Sequence, residues 1–370
     1  MWGRTYALGL GMLLLSIGAV PVHGQITLTG LVLDDSTGRP LSGAHVFVPR
    51  SMSGTTTDST GQYRLEGLPP GAIRLFASHV GYEPLRRSHV VSHDTTLTDT
   101  LRLQPTVVQA GSITVEAERD DEWAEHRRRF ERLFIGEGPW AHECVLQNPE
   151  VLRFDTAWWG KFEVSARRPL HFVNRRLGYR VRYHLTEFEQ VGDRVRWDGE
   201  PYFEPLTPRD SAEARRWARN RRRAFHGSLQ HFLLALLHDR VSEEQFRMHR
   251  LRRDPFRGSD PDRVPVDRDD LLHPSPDTTV ELSFFDHLEV IYDGEPETPA
   301  YLDWIGARRA PRSHQRSVIE LNERPIHIDP QGEIVEPYGA TLYRYFSYSA
   351  RLAQMLPRTY RPPDWPPSGE

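Results

Sequence analysis

Between Gly54 and Leu65 the chain reads Gly-Thr-Thr-Thr-Asp-Ser-Thr-Gly-Gln-Tyr-Arg-Leu, and this stretch limits the available folds more than any other. Thr55 to Thr57 are β-branched and suit a pleated strand. Asp58 can accept hydrogen bonds from backbone N–H groups ahead of it, and Gly61 tolerates positive φ, so a tight turn is predicted there. Tyr63 and Leu65 then resume a two-residue period, completing a hairpin signal. Upstream, Ile26, Leu28, Gly30 and Val32 alternate with Thr27, Thr29 and Leu31. Asp34 to Pro40 turns the chain into Leu41, Ala44, Val46 and Val48. Downstream, Leu68-Pro-Pro-Gly is another turn, Ile73, Leu75, Ala77 and His79 alternate, Gly81-Tyr82 breaks the pattern, and Leu97 to Leu103 alternates again. Short strands punctuated this often predict an antiparallel β-sandwich over residues 25–105.

The ordered segments Gly30-Leu-Val-Leu-Asp, Gly38-Arg-Pro-Leu-Ser-Gly-Ala-His-Val-Phe-Val, Thr57-Asp-Ser-Thr-Gly-Gln-Tyr, Leu68-Pro-Pro-Gly and Gly81-Tyr82 resemble the carboxypeptidase-regulatory-like domain. That domain is a transthyretin-like β-sandwich found beside metallocarboxypeptidases and at the N-termini of bacterial outer-membrane and secreted proteins. The resemblance implies an accessory module without catalytic residues, so no catalytic role is carried over. Asn148-Pro, Trp158 and Phe162, Pro169-Leu-His-Phe-Val-Asn, Leu177-Gly-Tyr, Phe225-His-Gly-Ser-Leu-Gln-His-Phe-Leu and Leu356-Pro-Arg-Thr-Tyr are similar to the C-terminal part of uncharacterised exported proteins of the Bacteroidota. No activity accompanies that second resemblance.

Residues 1–24 predict a signal peptide: Arg4, an apolar run from Ala7 to Val20, and a small residue, Gly24, just before Gln25. The run is short for a membrane span, and no Cys sits at the cleavage point. The expected product is exported to the periplasm, the outer-membrane periphery or the medium, which leaves room for peripheral membrane association. A net charge of −4 argues against nucleic acid as a partner. Lys161 is the only lysine, which reads as genomic bias. Cys144 is the one cysteine, so no intrachain disulfide forms, and without a protease signature around it a buried hydrophobe is the expected role.

The 370 residues leave space for more than the sandwich. Residues 106–135 read as a linker strand followed by a helix from Asp120 to Phe134. Residues 136–357 read as an α+β domain, and residues 358–370, rich in proline, as a disordered tail. The expected fold class is therefore mainly β with α. Alternation of Tyr179, Val181, Tyr183 and Leu185 predicts a half-buried antiparallel sheet. Thr207-Pro-Arg-Asp predicts a helix start with Thr207 as cap, the helix running to Leu237 past Gly227. Ser242 predicts the cap of a second short helix, Arg252 to Pro276 a long loop, and Leu342 to Leu356 a last helix.

Candidate chemistry is sparse. There is no His-Glu-x-x-His and no paired Cys, and the carboxypeptidase zinc pattern is not matched. His226 and His231 are five residues apart and do not share a helix face, so they are expected to be ordinary histidines rather than ligands. His226-Gly-Ser228 lacks the Gly-x-Ser-x-Gly elbow of a hydrolase. Trp158-Trp159 and Tyr343 to Tyr348 are expected to pack in a core, with stacking on a sugar or peptide as the alternative. Six arginines lie between Arg215 and Arg223 on the strongest helix. Arg215, Arg216, Arg219 and Arg222 form the candidate binding surface, for an acidic or sulfated partner. No catalytic, cofactor or metal residue is expected. The expected function is an exported, non-catalytic binding or assembly protein whose partner is an envelope protein or glycan. The alternative is a peptide or glycan hydrolase with its site in residues 136–357; convergent carboxylates or histidines in a deep pocket would favour it.

Overall fold

The computed structural model describes residues 26–69, 71–91, 95–106, 120–253, 255–256 and 261–365. The segment read as a signal peptide, most of the linker strand and the last five residues lie outside them. The fold is mainly β, with a β-sandwich followed by a mixed α+β region.

The sandwich contains β1 (Ile26–Asp34), β2 (His45–Phe47), β3 (Gly54–Thr56), β4 (Gln62–Leu68), β5 (Gly71–Ser78), β6 (Leu85–Val91) and β7 (Thr96–Leu103). One sheet has the order β4-β1-β7 and the other β3-β2-β5-β6. The alternation is realised: Ile26, Leu28, Val32, Val46, Leu65, Ile73 and Leu75 meet in the core between the sheets. One pair departs from the antiparallel expectation. The chain crosses from the second sheet to the first after β6, so β7 runs parallel to β1 along its full length. Gly30 sits opposite Asp99 in that pair, and a Cβ there would lie 1.7 Å from the Asp99 carbonyl oxygen, so only glycine fits. The turn after β3 forms as its residues dictate. Asp58 Oδ1 accepts from the N–H groups of Thr60 at 2.8 Å and Gln62 at 2.9 Å, and Gly61 has φ +75°.

The helix α1 (Asp120–Phe134) lays Phe130 and Phe134 on a six-stranded sheet, where they meet Phe188 and Tyr183. This sheet comprises β8 (Cys144–Leu146), β9 (Leu152–Thr156), β10 (Phe162–Ala166), β11 (Leu170–Asn174), β12 (Tyr179–Val191) and β13 (Arg194–Pro205). Its order is β8-β11-β12-β10-β9, with β13 paired to β12 as a long hairpin.

The predicted long helix is two helices, α2 (Ser211–Phe225) and α3 (Leu229–Leu237). Asp210, not Thr207, caps the first, accepting from Glu213 N–H at 2.8 Å. Gly227 separates them with φ +72°; a Cβ there would meet Gln315 Oε1 at 2.5 Å. α3 is apolar on almost every side and is accordingly buried almost all round.

The remaining strands are β14 (Phe246–Leu251), β15 (Arg263–Pro265), β16 (Leu272–Pro274), β17 (Val280–Leu282), β18 (His287–Tyr292), β19 (Gln315–Leu321), β20 (Ile326–Ile328) and β21 (Ala340–Arg344). They form the sheets β15-β14-β18-β19-β21 and β16-β17-β20. Two short helices, α4 (Pro299–Trp304) and α5 (Tyr345–Ser349), bring Tyr301, Tyr345 and Tyr348 into one aromatic cluster.

Several expectations are corrected here. No helix follows Ser242; the chain turns and enters β14, whose pairing with β18 buries Phe246. The expected loop 252–276 contains β15, β16 and a 3-10 turn at Arg268–Asp270. The last helix is shorter than expected: its first residues, Leu342–Arg344, belong to β21, which pairs with β19, Tyr345–Ser349 is helical as α5, and Leu352–Gln354 is a 3-10 turn. Residues 358–365, read as disordered, pack instead: Arg358 and Trp365 are buried, and the indole lies 5.5 Å from the rings of both Phe225 and His231. No helix among the described residues is long and apolar enough to cross a membrane.

Candidate functional site: a cleft between the sandwich and the second domain

In β5, Ile73, Leu75 and Ala77 enter the sandwich core, so Arg74, Phe76 and Ser78 must face outward. The same alternation turns His45 and Phe47 of β2 outward, and cross-strand register puts Ser88 beside Arg74 and Arg86 beside Phe76. An outward face would normally meet water. Here the β12–β13 hairpin covers part of it. Phe47 and Phe76 are buried against Tyr202, and the Phe47 ring lies 5.3 Å from the Tyr202 ring. His184 packs 4.7 Å from Phe76. Burial, with Arg182 adding to it, lowers His45 to about 4; burial, with His45, His171 and Arg182 beside it, lowers His184 to about 3, so both are neutral near pH 7.

Backbone pairing extends the joint. Arg50 N–H donates to Pro201 O at 2.6 Å, Phe203 N–H to Ser51 O at 2.9 Å, and Arg358 N–H to Arg50 O at 2.6 Å. Arg50, whose N–H and carbonyl make the first and last of these bonds, holds a left-handed φ of +53°. Its side chain reaches Glu333, with Nη1 2.8 Å from Oε1. Arg358 stands 3.6 Å from the other Glu333 oxygen and pairs with Asp329, and Arg74 of the sandwich also stands 3.6 Å from Glu333. Burial alone would raise the Glu333 pKa; Arg50, Arg358 and Arg74 outweigh it and hold the carboxyl ionised below its usual range.

Around this joint lies a cavity of about 450 Å³. The sandwich contributes Arg50, Arg74 and Arg86; the second domain contributes Tyr183, Asp198 and Glu333 among others. Its size is that of a small-molecule site. Glu200, also on its wall, is paired with Arg86, whose Nε lies 2.7 Å away, while Arg86 Nη2 donates to Thr186 at 2.8 Å. Sequence reasoning did not find this site. One signal was available: Phe47 and Phe76 are apolar residues on the face that alternation assigns to solvent.

The predicted arginine surface is only partly a surface. Arg216 is drawn to Glu143, with Nη1 3.2 Å from a carboxylate oxygen, and Arg222 to Asp364 at 2.7 Å. Arg215 and Arg219 are exposed and pair with no carboxylate among the described residues. Arg221 lies against the Tyr179 ring and donates to the Leu177 and Gly178 carbonyls, where it ties α2 to the sheet.

The other candidates resolve chemically. His231 uses both ring nitrogens: Nδ1 accepts from Gly227 N–H at 3.1 Å, and Nε2 faces Glu244 at 3.1 Å. Ser228 Oγ caps α3 by accepting from His231 N–H, so it is not paired with the imidazole ring. Cys144 is buried, and burial pushes its thiol up to about 12, with Glu131 adding to the shift; the thiolate a nucleophile needs is disfavoured. Trp158 and Trp159 are not core residues as expected; they stand at the β9–β10 hairpin tip, Trp158 97% exposed. Among the described residues, no group of three or more His, Cys, Asp or Glu is placed to hold a metal ion.

Residues 27–104 match the family model of the carboxypeptidase regulatory-like domain. No curated protein matches the chain. Partial likenesses to solved structures include catechol 1,2-dioxygenase from Acinetobacter sp. ADP1, at 17% identity over 24% of this chain and 55% of that one, with a TM-score of 0.20. A 3-chlorocatechol 1,2-dioxygenase from Rhodococcus opacus 1CP matches at 11% identity over 22% of this chain and 61% of that one, with a TM-score of 0.19. A type II cohesin–X-dockerin complex from Acetivibrio cellulolyticus matches at 20% identity over 21% and 56%, also with a TM-score of 0.19. The chain thus spans little more than half the length of these structures, and likeness at that level carries no functional argument.

Proposed function

We propose that this chain, whose residues 27–104 form a carboxypeptidase regulatory-like domain, is an exported, non-catalytic binding protein of the cell envelope. Its ligand site is the cleft between that domain and the α+β domain. The observation that carries this reading is the joint itself: a ligand-sized cavity whose walls come from both domains and whose rim is fixed by backbone pairing and the Glu333 ion cluster. Glu333 and Glu200 are each engaged by arginine, which opposes the proton-donor role that an acid catalyst requires. The leader-like residues 1–24 support export. The exposed Arg215 and Arg219 supply a separate patch for an acidic envelope partner.

One feature supports the alternative of a peptide or glycan hydrolase. Asp198 and Glu200 alternate along β13 and both line the cavity, as two cooperating carboxylates would. The test is direct. The mature chain from Gln25 is titrated with libraries of peptides and oligosaccharides while product formation is followed. Saturable binding that is lost on narrowing the cleft, for example with Ser88→Trp at an exposed position on its wall, and without turnover supports the binding reading. Turnover abolished by Asp198→Asn or Glu200→Gln would overturn it. Fractionation of the producing cells checks export, and recovery of intact Met1 in the cytoplasm would refute that part.

A further inference from the structure

Within the cleft the arginines differ in how firmly they are held, and Arg74 is held loosely. Glu200 takes Arg86, and Asp329 takes Arg358. Glu333 is only 8% exposed and already has Arg50 at 2.8 Å and Arg358 at 3.6 Å. Arg74 reaches the same carboxylate only at 3.6 Å, and no hydrogen bond from its guanidinium is formed within the described residues. Its side chain keeps 37% of its surface exposed, on the cavity wall. Around Glu333 and Asp329 themselves, Arg50, Arg74 and Arg358 place three guanidinium groups on two carboxylates, with Asp198 farther along the wall and paired with no cation among the described residues. Arg74 is therefore an accessible guanidinium with donors to spare, open to a ligand that enters the cleft. A guanidinium carries five N–H donors in a fixed fork suited to a planar or tetrahedral oxyanion. The cross-strand neighbour Ser88 places an exposed hydroxyl on the same face, able to donate to the same group. The rest of the wall offers Tyr183, Gln230 and Met355, a mixture of polar and apolar surface for an organic body.

We infer that the cleft takes a small organic oxyanion, its carboxylate, phosphate or sulfate group received by Arg74 with Ser88, its body lying toward Tyr183 and Met355. This rests on the reading of the cleft as a binding site. Glu333 and Arg50 fix the position of Arg74 rather than neutralise it. The salt dependence of such a site is that of a partly shielded ion pair.

The experiment uses the mature full-length chain in calorimetric titrations at low and high NaCl. The probes are matched pairs: an acidic dipeptide and its amide, a uronic-acid disaccharide and its neutral counterpart, and inorganic phosphate and sulfate alone. The expected result is binding by at least one anionic probe, at least tenfold weaker for its neutral counterpart, weakened by salt and weakened at least tenfold again by Arg74→Gln. Which anionic arm binds identifies the source of the oxyanion. Because Arg74 is half exposed on a sheet face, Arg74→Gln should fold; a melting temperature matching the parent verifies this, and Ser88→Ala provides a second, milder variant expected to weaken the same probe. Equal binding of the anionic and neutral members in the cleft would overturn the oxyanion inference while leaving the binding reading in place. Anion binding unchanged in both variants would overturn it as well. Binding by none of the probes would overturn the oxyanion inference, while the library titration decides the binding reading separately.

Discussion

Replacing Phe47 by alanine separates the stability of the sandwich from that of its joint with the second domain. Phe47 is fully buried, yet none of its burial is in the sandwich core. Its ring lies 4.7 Å from His45 and 5.2 Å from Phe76 in the sandwich, and 5.3 Å from Tyr202 and 5.7 Å from His184 in the β12–β13 hairpin that covers it. Removing a buried phenylalanine ring from a filled site costs about 3–5 kcal/mol. In the isolated fragment 25–105 the ring keeps only His45 and Phe76 beside it on a solvated sheet face, where substitutions are worth about 0.5–1 kcal/mol. The difference of about 3 kcal/mol therefore belongs to docking, roughly a hundredfold in its equilibrium constant. Urea unfolding of the full chain and of the fragment, each with and without Phe47→Ala, measures both quantities. The fragment is expected to melt cooperatively on its own, with a midpoint that the substitution leaves nearly unchanged, while the full chain loses most of the 3 kcal/mol. Equal losses in fragment and full chain would refute the reasoning, because Phe47 would then be stabilising the sandwich itself. A fragment without β-type circular dichroism would refute its autonomy.

Other consequences are as direct. His45 and His184 bind protons near pH 6.5 when unfolded but only near 4 and 3 when folded, so stability should fall as pH drops from 6.5 towards 4. Each histidine adds a slope of up to about 1.4 kcal/mol per pH unit. His184→Asn should flatten that dependence, and an unchanged slope in denaturant titrations would exclude His184 as a source. Glu333→Gln leaves Arg50, Arg74 and Arg358 facing a neutral group and should cost about 3–5 kcal/mol by urea unfolding; a loss under about 1 kcal/mol would show that water screens the cluster. Gly61→Val meets both a positive φ and contacts of 2.9 Å with Pro40 Cβ and Val32 O, and should cost about 1 kcal/mol or more in the sandwich fragment. An unchanged midpoint would remove that constraint. Arg215→Gln with Arg219→Gln should leave the melting temperature within about 1 °C of the parent, because neither side chain is paired in the described structure; a large drop would mean that they are structural.

The sandwich was legible residue by residue because its determinants are local. Asp58 and Gly61 make their turn with neighbours four residues away at most, and the period of two that sorts Leu28 and Leu75 inward is a property of any strand. The helix Asp120–Phe134 and the inward face of Tyr179, Val181 and Tyr183 follow from the same kind of short-range pattern. Where two locally adequate structures competed, pairing with a distant strand decided: Phe246 joined β18 rather than extending a helix from Ser242, and Leu342 joined β19. The cleft belongs wholly to the tertiary level. Arg50 and Arg74 meet Glu333 across more than 250 residues, and Phe47 meets Tyr202 across about 150. No spacing rule spans such separations. An ion pair or an aromatic contact depends on where two folded surfaces come to rest, and that is settled by the shapes of both domains together rather than by the residues on either side of the contact.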